Sequence, residues 1–98
     1  MTFAGLVRWA AGAPTAADIE EVRRTGAPPA ALVQKVRQLP QHLPEGVRLV
    51  TSHQLGAGDI ISVLVVEAGS IEGLRAITGY YAGWFDITWH PTNVVERD

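Results

Sequence analysis

The sequence contains no cysteine and a single lysine, Lys35, among its 98 residues. The absence of cysteine excludes disulfides, thiolate metal ligands and cysteine nucleophiles together. The net charge is −2, and the basic side chains do not form the clusters that mark a nucleic-acid interface. We therefore expect no nucleic-acid partner.

Long apolar runs are also missing, and none reaches the length that a membrane span needs. The first residues, Met1-Thr2-Phe3, lead directly into sequence typical of a strand, without the basic and apolar regions of a secretion signal. We expect a cytoplasmic protein that does not enter a membrane.

Apolar residues are abundant, since hydrophobic side chains make up 47% of the chain and charged side chains only 18%. A domain of this size leaves a large fraction of its surface in contact with solvent. The composition therefore predicts a single domain, residues 1–98, that forms a homodimer. The alternative is a monomer with an apolar pocket.

A β-hairpin is predicted between Val47 and Glu67. Strand side chains alternate, which gives its first strand two faces. One face is predicted to carry Val47, Leu49, Thr51 and His53, and the other Arg48, Val50, Ser52 and Gln54. The return strand, Ile60 to Val66, is almost wholly β-branched or Leu, which predicts burial on both faces. Residues 56–59, Gly-Ala-Gly-Asp, supply the backbone freedom for a tight reversal.

A strand and a helix are predicted at the start of the chain. Alternation over Thr2 to Ala10 predicts the strand. The helix begins after Thr15, whose hydroxyl can accept from the free N–H groups of the first turn, and it runs through Arg24 to a stop at Gly26. Its inner residues are predicted to be Ile19 and Val22.

A second helix is predicted to begin with Pro29 in its first turn and to be ended by Pro40 and Pro44, because proline has no N–H to donate. Its apolar stripe consists of Leu32, Val33, Val36 and Leu39. After the hairpin, Ser70 is the predicted N-cap of a third helix. Three glycines weaken this third helix, namely Gly73, Gly79 and Gly83. Either tertiary packing holds it or another group approaches its backbone closely.

The last strand is predicted over Phe85 to His90, with a stop at Pro91 and a short edge pairing at Val94 and Val95. The order of elements predicts an α+β fold of the ferredoxin-like β-α-β-β-α-β type, with an antiparallel sheet and helices on one face. Because the hairpin strands are apolar on both sides, the other face needs cover. Two such sheets packed face to face, as a dimeric α/β barrel, would provide it.

Short segments along the chain resemble those of a known family. They are Val7-Arg8-Trp9, Thr25-Gly26-Ala27-Pro28-Pro29, Pro44-Glu45-Gly46-Val47-Arg48-Leu49 with His53 after it, and Phe85-Asp86-Ile87-Thr88 followed by Pro91 and Val94-Val95-Glu96. With these segments the chain resembles small bacterial proteins of the domain of unknown function 3303 family. The resemblance implies a dimeric α/β barrel and a matching histidine at His53.

The chain departs from that family in two places. It carries about fourteen extra residues, Ala30 to Leu43, and an additional Trp89-His90 before the last proline. The family supplies no settled activity. The wider superfamily that the resemblance implies includes cofactor-free monooxygenases, polyketide cyclases and isomerases, which is an analogy of fold.

His53 is the candidate catalytic residue. A histidine among apolar neighbours can act as general acid or base, because its pKa lies near the working pH. The alternative is that His53 only forms a hydrogen bond near a strand end.

Five further residues are candidates for ligand binding, namely Arg8, Trp9, Tyr80, Trp89 and His90. The tryptophans can form flat walls for an aromatic ligand or can fill the core or an interface. A guanidinium on a central strand needs an anion, which is either a ligand group or the carboxylate of Asp86 or Glu67. Of the two adjacent tyrosines, Tyr80 is more available to a ligand than Tyr81. His90 either contacts a ligand or is a structural or exposed residue.

No metal site is expected, because the histidines are scattered along the sequence. Three functions remain open. The first is a cofactor-independent enzyme of cyclase, isomerase or monooxygenase type that acts on a hydrophobic aromatic or polyketide-like molecule. The second is a noncatalytic small-ligand binding protein, and the third is a structural dimerisation module.

Overall fold

The structure is a computed structural model that describes residues 1–55 and 58–92. In chain order its elements are β1 (Thr2–Trp9), α1 (Ala16–Thr25), α2 (Ala30–His42), β2 (Val47–Gln54), β3 (Ser62–Ala68), α3 (Ile71–Tyr80) and β4 (Phe85–Thr92). Two predictions involve residues outside the described ones. These are the edge pairing of Val94 and Val95 and the part of the tight reversal at Gly56 and Ala57.

The four strands form one antiparallel sheet in the order β2-β3-β1-β4. The strands β2 and β3 are consecutive in the chain and pair directly, as the hairpin prediction requires. The two edge strands, β2 and β4, each follow a helical connection. The predicted α+β class with a ferredoxin-like succession is therefore confirmed, and the first connection contains the two predicted helices.

The hydrophobic core lies between one face of the sheet and the helices α2 and α3. We call this the covered face. The sheet contributes Val7, Leu64, Val66 and Ala68, all of which are buried. The helices and the residue after α3 contribute Leu39, Leu74, Ile77 and Tyr81. Half-buried aromatic and aliphatic side chains surround this cluster, so one continuous core joins the sheet to two helices.

The helix α1 begins and ends as predicted but packs differently. The Thr15 hydroxyl accepts from the N–H of Asp18 at 3.2 Å, and the Asp18 carboxylate accepts from the N–H of Thr15 at 2.9 Å. Gly26 ends the helix with a φ of 71°, which favours glycine. The prediction that Ile19 and Val22 are inner residues is wrong, because they remain 44% and 40% exposed. Two helices, each ~10 Å wide, already span the ~19 Å of a four-stranded sheet.

The helix α2 buries only part of its predicted stripe. Leu32 and Leu39 are buried, whereas Val36 is 48% exposed. Of the two prolines predicted to end the helix, Pro40 lies inside it, and the helix ends at His42, before Pro44. Pro40 lacks the N–H that would bond to the carbonyl of Val36, and only Gln41 and His42 follow it in the helix.

The glycines of the third helical region have different environments. At Gly73 an added Cβ would collide with the side chain of Val47, so this glycine permits a close approach of helix and sheet. Gly79 has nothing within 4 Å of the same position, and Gly83 follows the helix with a φ of 93°. Ser70 is the N-cap as predicted, although its side chain makes no capping hydrogen bond.

A β-bulge at Val50 changes the faces of β2. Leu49 and Thr51 pair with consecutive residues of β3, so Val50 between them is the extra residue. One extra residue moves all later side chains to the other face. The predicted faces of β2 are therefore wrong, because Thr51 and His53 lie on the opposite side of the sheet from Val47 and Leu49.

The strand β4 runs past its predicted end. Pro91 pairs with Phe3 of β1, and the strand ends at Thr92. A proline is tolerated here because β4 is an edge strand, where one side of the backbone needs no partner.

Candidate functional site

The face of the sheet opposite α2 and α3 is the candidate site, and we call it the open face. Its residues follow from the strand register and are Thr2, Ala4, Leu6 and Arg8 of β1, Arg48, Thr51 and His53 of β2, Val63, Val65 and Glu67 of β3, and Asp86, Thr88, His90 and Thr92 of β4. None of these residues is buried. Any group that covers them must come from outside the described part of the chain.

The centre of the open face is apolar and consists of small or medium-sized side chains. Ala4 and Leu6 of β1 lie beside Val65 and Val63 of β3, in matching register. All four are half-buried. The polar and charged members lie around this centre, so the surface can contact an apolar partner in the middle and bind polar groups at the rim.

His53 lies near the end of an edge strand, opposite Val63 of β3. Its ring is exposed, and Nε2 lies 3.3 Å from the hydroxyl oxygen of Thr51. The hydroxyl donates to Nε2 in one tautomer and accepts from it in the other. In residues 1–55 and 58–92 no carboxylate bonds to the ring, so the structure shows no acidic group that orients it.

Arg8 is the one charged residue of the central strand β1, and it is half-buried. In the strand register it lies directly opposite Asp86. The described residues nevertheless form only one ion pair, in which Arg48 and Glu67 approach to 2.9 Å. The structural pairing predicted for Arg8 is therefore not formed within this part of the chain, and its guanidinium is available for another anion.

Trp9 follows Arg8 at the end of the strand and lies on the side of the helices. Its ring packs against Phe85 with 5.3 Å between ring centroids, and it is 38% exposed. An open depression of about 410 Å³ at this end of the sheet is lined by Arg8, Trp9, Gly58, Asp59 and Ile61. A ligand there would meet a guanidinium and an indole together, although Asp59 opposes binding of an anion.

His90 shares the open face with His53 but lies on the opposite edge strand. Three strand spacings of about 4.8 Å separate the two edges, so the backbones at these residues are ~14 Å or more apart. The two histidines of one chain therefore do not act on the same bond.

Trp89 and Tyr80 lie on the side of the helices. The Trp89 ring lies so close to Gly5 that a Cβ there would come within 2.6 Å of it, and the indole N–H donates to the Thr78 hydroxyl at 2.9 Å. The Tyr80 hydroxyl donates to the carbonyl oxygen of Lys35 at 2.6 Å, which fastens α3 to α2. Both side chains therefore have structural roles, and neither faces the open side.

The structure thus divides the six predicted site residues. Arg8, His53 and His90 share the open face, Trp89 and Tyr80 lie on the other side, and Trp9 lies at the end of the sheet. The arrangement offers a guanidinium and an imidazole beside an apolar centre, which suits a hydrophobic ligand with a polar or anionic group. A role for each residue in binding or catalysis stays a prediction.

A second group of side chains lies on the side of the helices, and of its members only Tyr80 was among the site residues predicted from the sequence. An open groove of about 440 Å³ between α2 and the end of α3 is lined chiefly by Gln34, Lys35, Gln38, His42, Tyr80 and Trp84. The four residues from α2 recur at three- and four-residue intervals, so they share one side of that helix. The signal was present in the sequence, but polar residues beside an apolar stripe normally face only solvent.

Other kinds of site find no support in residues 1–55 and 58–92. There is no group of three or more His, Asp or Glu there that could hold a metal ion. In the same residues no helix combines the length and the apolar character that crossing a bilayer requires.

Comparisons with protein-family models, with curated proteins and with solved structures give no match. The resemblance to the domain of unknown function 3303 family therefore stays a prediction.

Proposed function

We propose that this chain forms a homodimer through its open faces and takes up a hydrophobic, aromatic or polyketide-like small molecule between them, with His53 as general acid or base and no cofactor. The observation that carries this proposal is the composition of the open face. An apolar centre of half-buried side chains is bordered by Arg8 and His53, while the covered face already holds a complete core.

The open face has the size and charge that self-association needs. Four strands of about eight residues present roughly 500 Å² of flat area, which is of the order that one partner contributes to a standard interface. Its two arginines, Arg8 and Arg48, are balanced by Glu67 and Asp86. A second copy of the same face therefore meets no excess of like charge.

Space for a ligand follows from the size of the central side chains. Stacked sheets lie ~10 Å apart, and large side chains from both sheets normally fill that gap. Here the centre has Ala4, Val63 and Val65 around Leu6. Two such faces leave unfilled volume near Ala4, and an apolar molecule would gain contacts there.

His53 is the acid–base candidate because an imidazole can both donate and accept a proton, and because the residue lies on the open face. It projects on the same side as Leu6 and Val63 and is exposed in the single chain. General acid–base catalysis typically contributes ~100- to 10,000-fold in rate. Thr51 is positioned to hold the ring by its hydroxyl.

A noncatalytic binding protein is the second candidate function, and one observation favours it. In the described residues the only hydrogen-bonding partner of the His53 ring is the hydroxyl of Thr51. Histidines that serve as general bases are commonly oriented by a third group, such as a carboxylate. A purely structural dimer with a filled interface is the third candidate.

The first experiment measures association and binding. Light scattering at micromolar concentration is expected to show a dimer, and a thermal-shift screen of aromatic metabolites is expected to find a ligand that stabilises it. A monodisperse monomer would exclude the barrel. A dimer that binds no member of the screen would favour the structural module.

The second experiment compares two histidines on the same face. With the best ligand of the screen, His53→Gln is expected to lower turnover by at least ~100-fold, whereas loss of one neutral hydrogen bond costs about 1 kcal/mol, or roughly fivefold in affinity. His90→Gln is the comparison variant, because it makes the same change at a residue predicted to contact the ligand without taking part in catalysis, so it is expected to alter affinity rather than turnover. An affinity loss of a few fold without turnover favours the carrier, and equal effects of the two variants contradict the assignment of His53.

A further inference from the structure

The groove beside α2 has a rigid aromatic wall. The backbone of Trp84 is held on both sides, because its N–H donates to the carbonyl of Tyr81 at 3.0 Å and its carbonyl accepts from the N–H of Ala10 at 3.0 Å. The indole is half-buried, and its own N–H has no hydrogen-bond partner in the described residues. Trp84 therefore lines the groove with a large apolar side chain, and its indole N–H is available as a donor.

Tyr80 forms the second aromatic element of the groove and is fixed in place. Its hydroxyl donates to the backbone of α2 at Lys35. The imidazole of His42 stacks on its ring with 4.9 Å between centroids, and the Lys35 ammonium lies 4.6 Å from the ring centre. These contacts hold the cation at the edge of the groove, and no carboxylate of residues 1–55 and 58–92 pairs with it.

The polar lining of the groove is cationic or neutral. The amides of Gln34 and Gln38 lie on the same side of α2 as Lys35 and His42. None of the described residues that line the groove is acidic. Lys35 therefore gives the lining of the groove a positive charge, while the chain as a whole carries a net charge of −2.

We propose that this groove is a second binding site, separate from the open face, for a planar aromatic molecule that carries a carboxylate. The aromatic ring stacks on the indole of Trp84, the carboxylate lies against the ammonium of Lys35, and the amides of Gln34 and Gln38 complete its hydrogen bonds. This proposal does not depend on a dimer or on any role of His53.

The probe for this site is 2-naphthoate, with neutral 2-naphthamide as its matched control. Because the groove is open, we expect weak binding of naphthoate, with a Kd of about 1 mM. Two-dimensional NMR of the intact chain is the measurement, with the indole N–H of Trp84 as the reporter. The naphthoate is expected to shift this resonance saturably, and the naphthamide is expected to bind several-fold more weakly.

Two pairs of variants locate the site. Lys35→Met is expected to weaken naphthoate binding about three- to fivefold and to leave naphthamide unchanged, because an exposed ion pair contributes little. Arg37→Met is the control, since it removes one charge from the exposed side of the same helix. Trp84→Leu is expected to weaken both probes by about tenfold. Trp9→Leu is the control, because Trp9 packs against Phe85 and does not line the groove.

Each outcome of the titration decides the question. Saturable shifts at Trp84 that Lys35→Met reduces and Arg37→Met does not are the expected result. Shifts confined to Val63 and Val65 would place the naphthoate on the open face and overturn the groove. Equal effects of Lys35→Met and Arg37→Met would show that the naphthoate responds only to the overall charge of the chain, which would overturn the groove site. An absence of saturable shifts up to several millimolar naphthoate would also overturn it. If Trp84→Leu fails to fold, the comparison of Lys35→Met with Arg37→Met still tests whether naphthoate binds in the groove.

Discussion

The two faces of the sheet differ most clearly at neighbouring residues of β3. Val66 is 0% exposed on the covered face, whereas Val65 is half-buried on the open face. The two side chains are identical, and only the alternation of the strand separates their environments. The comparison therefore isolates the effect of the covering helices from the effect of residue type.

The faces also differ in chemistry. The covered face is closed by large apolar side chains such as Ile77 and Tyr81, and no polar or charged residue is buried in the described part of the chain. The charged side chains of the strands, including Arg8 and Asp86, lie on the open face. The covered face thus supplies most of the stability of the fold, and the open face is available for contact with a ligand or a partner.

The largest expected effect is the contrast between Val66→Ala and Val65→Ala. We expect Val66→Ala to lower the free energy of unfolding by about 3 kcal/mol, because it removes buried methyl groups and leaves a cavity in a packed core. The same change at Val65 is expected to cost less than about 1 kcal/mol in a dilute monomer. Urea unfolding measures both.

Protein concentration sharpens this comparison. If a second copy covers the open face, the cost of Val65→Ala rises at concentrations where the dimer forms, whereas the cost of Val66→Ala changes little. Equal costs at every concentration would show that the two faces are equally covered within one chain, which would contradict the structure.

The next effect is a pair of glycine substitutions with opposite signs. Gly5→Ala is expected to destabilise the fold by about 2 kcal/mol, because the new Cβ would lie 2.6 Å from the ring of Trp89 and 2.9 Å from Ile87. Gly79→Ala is expected to stabilise the fold by up to about 1 kcal/mol, since its Cβ position is open and alanine favours a helix. Thermal unfolding compares the two, and stabilisation by Gly5→Ala would show that the ring does not lie on this strand.

The third effect is a loss of stability at alkaline pH. Burial raises the pKa of Tyr81 to about 12, and the neighbouring Tyr80 adds to the shift. The unfolded chain loses this proton near pH 10, so between about pH 10 and pH 12 it binds fewer protons than the folded chain. The stability that the neutral phenol contributes is complete below pH 10 and decreases as pH rises through this window.

The expected loss from this residue is about 1 kcal/mol at pH 11. Tyr81→Phe is expected to remove that part of the alkaline loss, while its stability at neutral pH stays close to that of the parent chain. The open face has no tyrosine, so the effect reports on the covered face alone. Identical alkaline unfolding curves for the two proteins would contradict this assignment.

Local patterns were sufficient to predict the class of fold, the four strands and the cap of α1. The reciprocal hydrogen bonds of Thr15 and Asp18 and the left-handed conformation of Gly26 depend on contacts within a few residues, so the local sequence is enough to predict these helix ends. The exposure of Ile19 and Val22 depends instead on which two helices occupy the sheet, and no periodicity within α1 contains that information.

The candidate site was less predictable than the fold because of a single residue. Simple alternation placed His53 with Val47 and Leu49, whereas the bulge at Val50 moves it to the open face. The division of Arg8 and Trp89 between the two faces requires the pairing of β1 with β4, which is a long-range contact. Residue type alone therefore suggested six site residues, and the strand register then assigns them to different faces of the sheet.

The smallest expected effect concerns the ion pair between Arg48 and Glu67 at the rim of the open face. The two side chains lie on neighbouring strands with 2.9 Å between nitrogen and oxygen, and they are 67% and 47% exposed. In a dilute monomer we expect a coupling energy below about 1 kcal/mol from the double-mutant cycle of Arg48→Met and Glu67→Gln, with a further decrease at high salt. At concentrations where a dimer forms, a partner that covers this rim would exclude water from the ion pair. Replacement of either Arg48 or Glu67 alone would then lower the free energy of unfolding by several kcal/mol, because it leaves an uncompensated buried charge. A coupling that stays small at all concentrations, in a protein that light scattering shows to be dimeric, would place this end of the sheet outside the interface and confine the contact to the region around Leu6 and Val63.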